Sequence, residues 1–211
     1  MSTSQRYSLK GLYGITDAKL MSKETVFSQV EQALLGGAAV IQYRDKHSDN
    51  NLRLNQARQL TALCQRYERP LLINDDVELA VACGAAGVHL GQQDGSVAEA
   101  RQKLGKQAII GVTCHSSLEL ALSAQAEGAD YVAFGAFYPS STKPNATPAP
   151  IELLTDAHQQ LQIPVVAIGG ITVDNARQLI EPGADMIAVV HSLFAADDIT
   201  DRARRFCRLF S

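Results

Sequence analysis

The chain has 211 residues, is 46% hydrophobic and carries a formal net charge of −3. That length and apolar content suit one domain, 1–211, with a sizeable core and leave a second one cramped. Lys and Arg are scattered, so no basic footprint for duplex nucleic acid exists, and no apolar run nears the roughly 20 residues that a bilayer span needs.

The opening MSTSQRYSLK lacks an apolar signal core, so a cytoplasmic protein with small-molecule partners is expected, with neither nucleic acid nor membrane among them. Cys64, Cys83, Cys114 and Cys207 form no C-x-x-C pair and read as reduced core thiols, not as a zinc knuckle or a redox dithiol. Short β-branched runs then alternate with helical patterns. The strands are LYGIT (12–16), AVIQYR (39–44), PLLIN (70–74), GVHL (87–90), AIIGVT (108–113), DYVAFG (130–135), PVVAIG (164–169) and MIAVVH (186–191). A helical segment follows each, and eight such units predict an α/β fold, a compact closed (β/α)8 TIM barrel.

Ser116-Ser117-Leu118-Glu119 reads as a capping box, and Ile199, Ala203, Phe206 and Phe210 form one stripe on the last helix. Four related stretches, GGAAV (36–40), GAAGV (84–88), GADYV (128–132) and GADMI (183–187), each lead into an even-numbered strand. Glycine there is expected in the left-handed position that ends the preceding helix, an architectural repeat without chemistry.

Barrels of this kind place their reactive groups at the carboxyl ends of the strands. The second strand closes in Gln42-Tyr43-Arg44-Asp45-Lys46, where a period of two puts Gln42, Arg44 and Lys46 on one side if the chain stays extended. A guanidinium fork beside an ammonium suits a phosphate or diphosphate; a surface loop with ion-paired Arg44 and Lys46 would read the same way. The third strand ends in Asn74-Asp75-Asp76. Asp76 can cap the next helix, which leaves Asp75 without a structural task. Asp94 follows the fourth strand, and neighbouring strands are about 4.8 Å apart, so the two carboxylates can converge on one hard cation such as Mg2+ or stay solvated separately.

The fifth strand closes in Thr113-Cys114-His115, whose hydroxyl can reach the same anion; His115 is not read as catalytic. After the sixth comes FYPSSTKPNATPAP, with Ser140, Ser141, Thr142 and Lys143 between prolines, either a lid or a plain connection. The seventh and eighth strands end at Gly169-Gly170 and Val190-His191, the usual phosphate region of such barrels, although a tight turn also explains the glycine pair.

QYRDK, INDD, HLGQQD, the T-x-H after the fifth strand, YPSSTK and AIGGI occur in an order and spacing that resemble the thiamine phosphate synthase family over almost the whole chain. The resemblance implies a transferase that joins a hydroxymethylpyrimidine diphosphate to a thiazole phosphate, giving thiamine phosphate and pyrophosphate. It implies that Gln42, Tyr43, Arg44, Asp45, Lys46, Asn74, Thr113 and Lys143 hold the pyrimidine diphosphate, with Arg44, Lys46, Thr113 and Lys143 assisting the chemistry. Asp75 and Asp94 would bind Mg2+. Ser140, Ser141, Thr142, Gly170, Val190 and His191 would receive the thiazole phosphate. The family more often has serine at the positions of His191 and Thr113 and threonine at that of Ser140; only His191 loses a hydroxyl. A homodimer stays open.

The resemblance further implies dissociative chemistry that needs no nucleophilic side chain. Three alternatives stand beside it: a thiazole tautomerase of the same barrel group, which needs neither metal nor diphosphate; a non-catalytic phosphometabolite sensor; and a sugar-phosphate epimerase, for which no acid/base pair is evident.

Overall fold

The computed structural model describes residues 7–139 and 148–211. Eight parallel strands pair in chain order and close on themselves: β1 (Gly11–Ile15), β2 (Val40–Tyr43), β3 (Leu71–Asn74), β4 (Gly87–Leu90), β5 (Ile109–His115), β6 (Tyr131–Gly135), β7 (Val165–Ile168) and β8 (Met186–Val189). The helices are α1 (Val26–Leu35), α2 (Asn50–Arg66), α3 (Val77–Cys83), α4 (Val97–Leu104), α5 (Leu118–Ala126), α6 (Glu152–Gln160), α7 (Arg177–Ile180), α8 (His191–Phe194) and α9 (Ile199–Cys207). All eight expected strands are present within two residues of their expected ends. The segments after β7 and β8 form only single helical turns, α7 and α8, and the chain adds α9.

Alternation along the strands divides the core into two layers. Inside the barrel lie Tyr13, Ile15, Val40, Leu72, Ile109, Tyr131, Ala133, Val166, Met186 and Ala188. Their strand neighbours, such as Leu12, Ile41, Ile73, Val88, Ile110, Phe134 and Ile187, face the helices in a larger outer layer. Each inward position near a strand's carboxyl end therefore faces a common mouth.

The expected glycine repeat is real. Gly37, Gly84, Gly128 and Gly183 all have positive φ. The residue after each donates its amide to a carbonyl five residues back, as in Ala38 to Ala33 and Ala85 to Ala80, which closes the helix end. The capping expectation needs correction. Ser117 caps α5 through the Leu120 amide, without a reciprocal glutamate, whereas the reciprocal box belongs to Ser96 and Glu99 at the start of α4. Ile199, Ala203 and Phe206 are buried on α9, while Phe210 lies beyond it in a 3-10 turn and is partly covered.

The α9 helix docks very closely on the end of α1. A methyl group on Gly36 would collide with the Ala203 side chain and sit 2.6 Å from the Thr200 carbonyl oxygen. Gly36→Ala should therefore cost about 1–3 kcal/mol through overpacking and lower the thermal midpoint by several degrees; an unchanged melting curve would show that α9 yields freely.

Candidate active site

A cavity of about 570 Å3 opens at the carboxyl ends of the strands. Gln42, Arg44, Lys46, Asn74, Asp75, Asp94, Thr113, Gly170, Val190 and His191 all line it. Residues expected from six different strand ends thus share one chamber, because each follows or occupies an inward position of its strand.

The second strand reaches the cavity by two means. Thr16 at the end of β1 accepts the Arg44 amide at 2.9 Å, which keeps the chain extended one residue past β2, so Gln42 and Arg44 share the inner side. Asp45 then ends the extended geometry. Its carboxylate accepts the amides of His47 and Ser48 at 2.8 and 3.0 Å and closes a turn. Lys46 lies in that turn and comes to the cavity through an ion pair with Asp75 at 2.8 Å, not through strict alternation.

Tyr43 and Asp45 do not reach the cavity. Tyr43 is buried in the outer layer with its hydroxyl on Gln56 at 2.8 Å, as the period of two dictates for a neighbour of Gln42. Neither side chain lines this cavity, and the contacts they make hold the strand end. Ser140, Ser141, Thr142 and Lys143 lie outside the described residues.

The two adjacent aspartates have different tasks. Asp76 caps α3 through the Leu79 amide at 2.9 Å and also pairs with Arg53 at 2.9 Å. Asp75 has a φ of 62°, a left-handed conformation that aspartate tolerates better than most side chains. Its amide continues the ladder to the His89 carbonyl at 2.8 Å, which turns its carboxylate toward the cavity. Asp94 is folded back against the end of β4 by the Gly91 amide at 2.9 Å. A methyl on Gly91 would sit 2.6 Å from that carboxylate, so only glycine permits so close a return.

Burial, and then the neighbouring Asp75, raise the Asp94 carboxyl above its ordinary range. Two carboxylates competing for one space form the donor arrangement that a hard divalent cation relieves. Among the described residues, no group of three or more His, Cys, Asp or Glu side chains gathers as a donor set. A pair of oxygen donors matches a cation such as Mg2+, which usually keeps several water and substrate oxygens, better than it matches zinc.

Below this charged rim, the barrel interior carries a polar chain that strand patterning does not single out. Gln42 Nε2 donates to the Tyr13 hydroxyl at 2.6 Å, which lies 2.9 Å from the Tyr131 hydroxyl. Tyr131 lies 2.8 Å from His89 Nδ1, and His89 Nε2 lies 2.8 Å from Thr113 Oγ1. His89, Gly111 and Tyr131 are register partners on β4, β5 and β6. A methyl on Gly111 would collide with the Tyr131 ring, so this glycine opens the space in which His89 and Tyr131 stack, 5.6 Å between centroids. The available signal was a polar or aromatic residue at an inner position of LYGIT, GVHL and DYVAFG.

The remaining positions sit at the rim. A register shift between Thr113 and His115, with φ of 52° at His115, leaves His115 exposed on the cavity wall. Gly169 and Gly170 have φ of 106° and 61° and pack against the backbone of 136–139, where any side chain would clash. Close packing therefore accounts for the glycine pair by itself. His191 is exposed at the first turn of α8.

Burial drives the His89 imidazole from 6.5 to about 4, with Asp75 nearby pulling the other way. Since the unfolded chain takes this proton near 6.5 and the folded one only near 4, the unfolded state binds more protons between those values. The contribution is whole above about pH 6.5 and is lost progressively toward about pH 4, about 3 kcal/mol in all. Urea unfolding of wild type and His89→Gln at pH 7 and pH 4 checks this: the gap between them should narrow by that amount, and parallel pH dependence would refute it.

The sequence-family description "Thiamine monophosphate synthase" matches residues 12–193. Thiamine-phosphate synthase of Thioalkalivibrio sulfidiphilus is 54% identical over 202 residues, covering 96% of each chain. The Marinobacter nauticus thiamine-phosphate synthase is 54% identical over 213 residues, covering 100% of this chain and 96% of its own. Among solved structures, thiamine phosphate pyrophosphorylase from Pyrococcus furiosus superposes with a TM-score of 0.86 at 35% identity, covering 97% of this chain and 96% of its own. With a match across most of its length and more than half its residues shared with such enzymes, this chain belongs to the thiamine monophosphate synthase family, transferases of thiamine biosynthesis.

Proposed function

We propose that the chain condenses 4-amino-2-methyl-5-(diphosphooxymethyl)pyrimidine with a thiazole phosphate, forming thiamine phosphate and pyrophosphate by a dissociative route. The observation that carries this reading is the meeting of Asp75 and Asp94 with Arg44, Lys46, Gln42 and Thr113 on the wall of one cavity. A thiazole tautomerase has no use for paired acids beside two cations, and a sensor has no use for a leaving-group site.

In the proposed reaction the carbon–oxygen bond between the pyrimidine methylene and the diphosphate breaks first, and its electron pair leaves on the diphosphate. The ring and its amino group delocalise the positive charge left on the methylene. The thiazole nitrogen then supplies the pair that forms the new carbon–nitrogen bond. Arg44 and Lys46 stabilise the departing anion, the guanidinium by a bidentate grip and the ammonium as a point charge. Asp75 and Asp94 would hold Mg2+, which supplies Lewis-acid assistance to the leaving diphosphate when bound. Gln42 and Asn74 orient the pyrimidine, and Thr113 contributes a hydroxyl to the diphosphate. Lys143 would join the same anion, and Ser140, Ser141 and Thr142, with the backbone at Gly170, Val190 and His191, would take the thiazole phosphate. Fixing both partners in one chamber replaces a bimolecular encounter with a local one.

Among the described residues, no helix is long and apolar enough to cross a membrane. A cytoplasmic location and a homodimer belong to the proposal.

Incubating the protein with both substrates and Mg2+ should release thiamine phosphate and pyrophosphate in equal amounts. Full-speed turnover in thorough chelator would remove the metal from the scheme. Asp94→Asn should lower turnover by about 10²-fold while leaving the melting curve in place; wild-type rates in that variant would dissociate the acid pair from the reaction.

A further inference from the structure

The chain from Gln42 through Tyr13, Tyr131 and His89 to Thr113 crosses the barrel from β2 to β5, and with the Gln42 amide nitrogen set on Tyr13 the direction of its hydrogen bonds follows from counting protons. Gln42 gives an amide proton to the Tyr13 oxygen. If Tyr131 also donated to Tyr13, the Tyr13 proton would have no partner in the chain, and Tyr13 is fully buried at the barrel centre. A buried donor left without an acceptor bears its full desolvation penalty. Every member is satisfied only if Tyr13 donates to Tyr131, Tyr131 donates to His89 Nδ1, and His89 Nε2–H donates to the Thr113 oxygen. The Thr113 proton is then free for the cavity. At the other end, the Gln42 amide has its nitrogen on Tyr13 and keeps its carbonyl oxygen as an acceptor.

We propose that this relay is a positioning device: Tyr13, Tyr131 and His89 fix the direction of each bond, so that Thr113 meets the diphosphate as a donor and Gln42 meets the pyrimidine as an acceptor. The two ends therefore recognise an anion and a ring amino group together, and a ring with a carbonyl in place of that amino group meets an acceptor facing an acceptor. The reverse direction is equally saturated only with the Gln42 amide turned over, which would present an amide donor to the ring and leave Thr113 no proton for an anion. Gly111 maintains the contact by leaving β5 without a side chain where His89 and Tyr131 meet.

The inference rests on the proposed condensation for the identity of the two ligands, but its first test needs no turnover. Protein labelled with 15N-histidine is observed by NMR, free and with Mg2+ and inorganic pyrophosphate, with His89 assigned from the His89→Gln spectrum. The Nε2–H tautomer is expected in both states. An Nδ1–H tautomer, an imidazolium or an average of the two tautomers overturns the direction. Tyr131→Phe then removes one oxygen and keeps the stacked ring. Its kcat/KM ratio for the 4-amino over the 4-oxo pyrimidine diphosphate should fall by about tenfold or more, as loss of one directed hydrogen bond implies. A lowered thermal midpoint with an unchanged ratio would mean that the hydroxyl is only structural and would overturn the proposal. Should Tyr131→Phe not fold, Tyr13→Phe cuts the same chain next to Gln42 and is read in the same way. Absence of coupled product in wild type would defeat the reaction and leave the tautomer result standing, whereas a wrong tautomer would defeat the relay and leave the reaction.

Discussion

Closing eight parallel strands into a ring gives every second side chain no direction but inward, and everything at the candidate site depends on that constraint. In the lower part of the barrel the inner positions are filled by apolar residues such as Val40, Ile109 and Met186. Toward the carboxyl ends the same positions become Gln42, Asn74, His89 and Thr113. The change is possible because the mouth opens to solvent and the polar groups just below it satisfy each other. Buried polar atoms without such partners would each carry a desolvation penalty.

Charge is arranged by the same principle of mutual satisfaction. Asp75 is set against Lys46, and Asp94 against the Gly91 amide, so neither carboxylate waits bare. Burial, and then Asp75, still raise the Asp94 carboxyl, and a cation accompanied by a diphosphate would restore the balance with charges of its own. The left-handed turn at Asp75 is part of this arrangement. Strain of that sort costs of order 1 kcal/mol or more and persists where surrounding contacts hold it, here the ladder bond to His89 and the cap at Asp76.

The barrel was legible because strand and helix periods differ and because eight βα units leave few alternatives. Gln42 and Arg44 were legible for the same reason, since two residues of extension suffice to place both on one face. Lys46 was placed correctly for an incomplete reason: the turn closed by Asp45 carries it there, and a turn of that kind shows in sequence only as polar residues. The capping box was misplaced because Ser116 and Ser117 are adjacent and propensity does not say which one caps the helix. The strand itself ends at His115, and it is Ser117 that caps the helix, which moves the third helical position from Glu119 to Leu120. The relay was the least legible element. His89 stands in a four-residue strand whose faces cannot be assigned until its register with Gly111 is known, and Tyr13 and Tyr131 are 118 positions apart along the chain.

The floor and the rim of the cavity answer opposite demands of the proposed reaction. A departing diphosphate needs strong positive charge, which Arg44 and Lys46 can present at the mouth because half of the Lys46 side chain remains in water until a ligand arrives. A pyrimidine methylene cation needs surroundings that neither repel it nor attack it. Burial holds the Tyr13 and Tyr131 phenols well above their ordinary range, so they stay protonated, and both ring nitrogens of His89 are engaged by hydroxyls. An unengaged imidazole nitrogen or a phenolate at that depth would compete with the thiazole nitrogen for the same carbon. A floor of neutral, fully occupied hydrogen-bonding groups supplies orientation without nucleophilicity, which is the property that a route through a free cation requires of the protein beneath it.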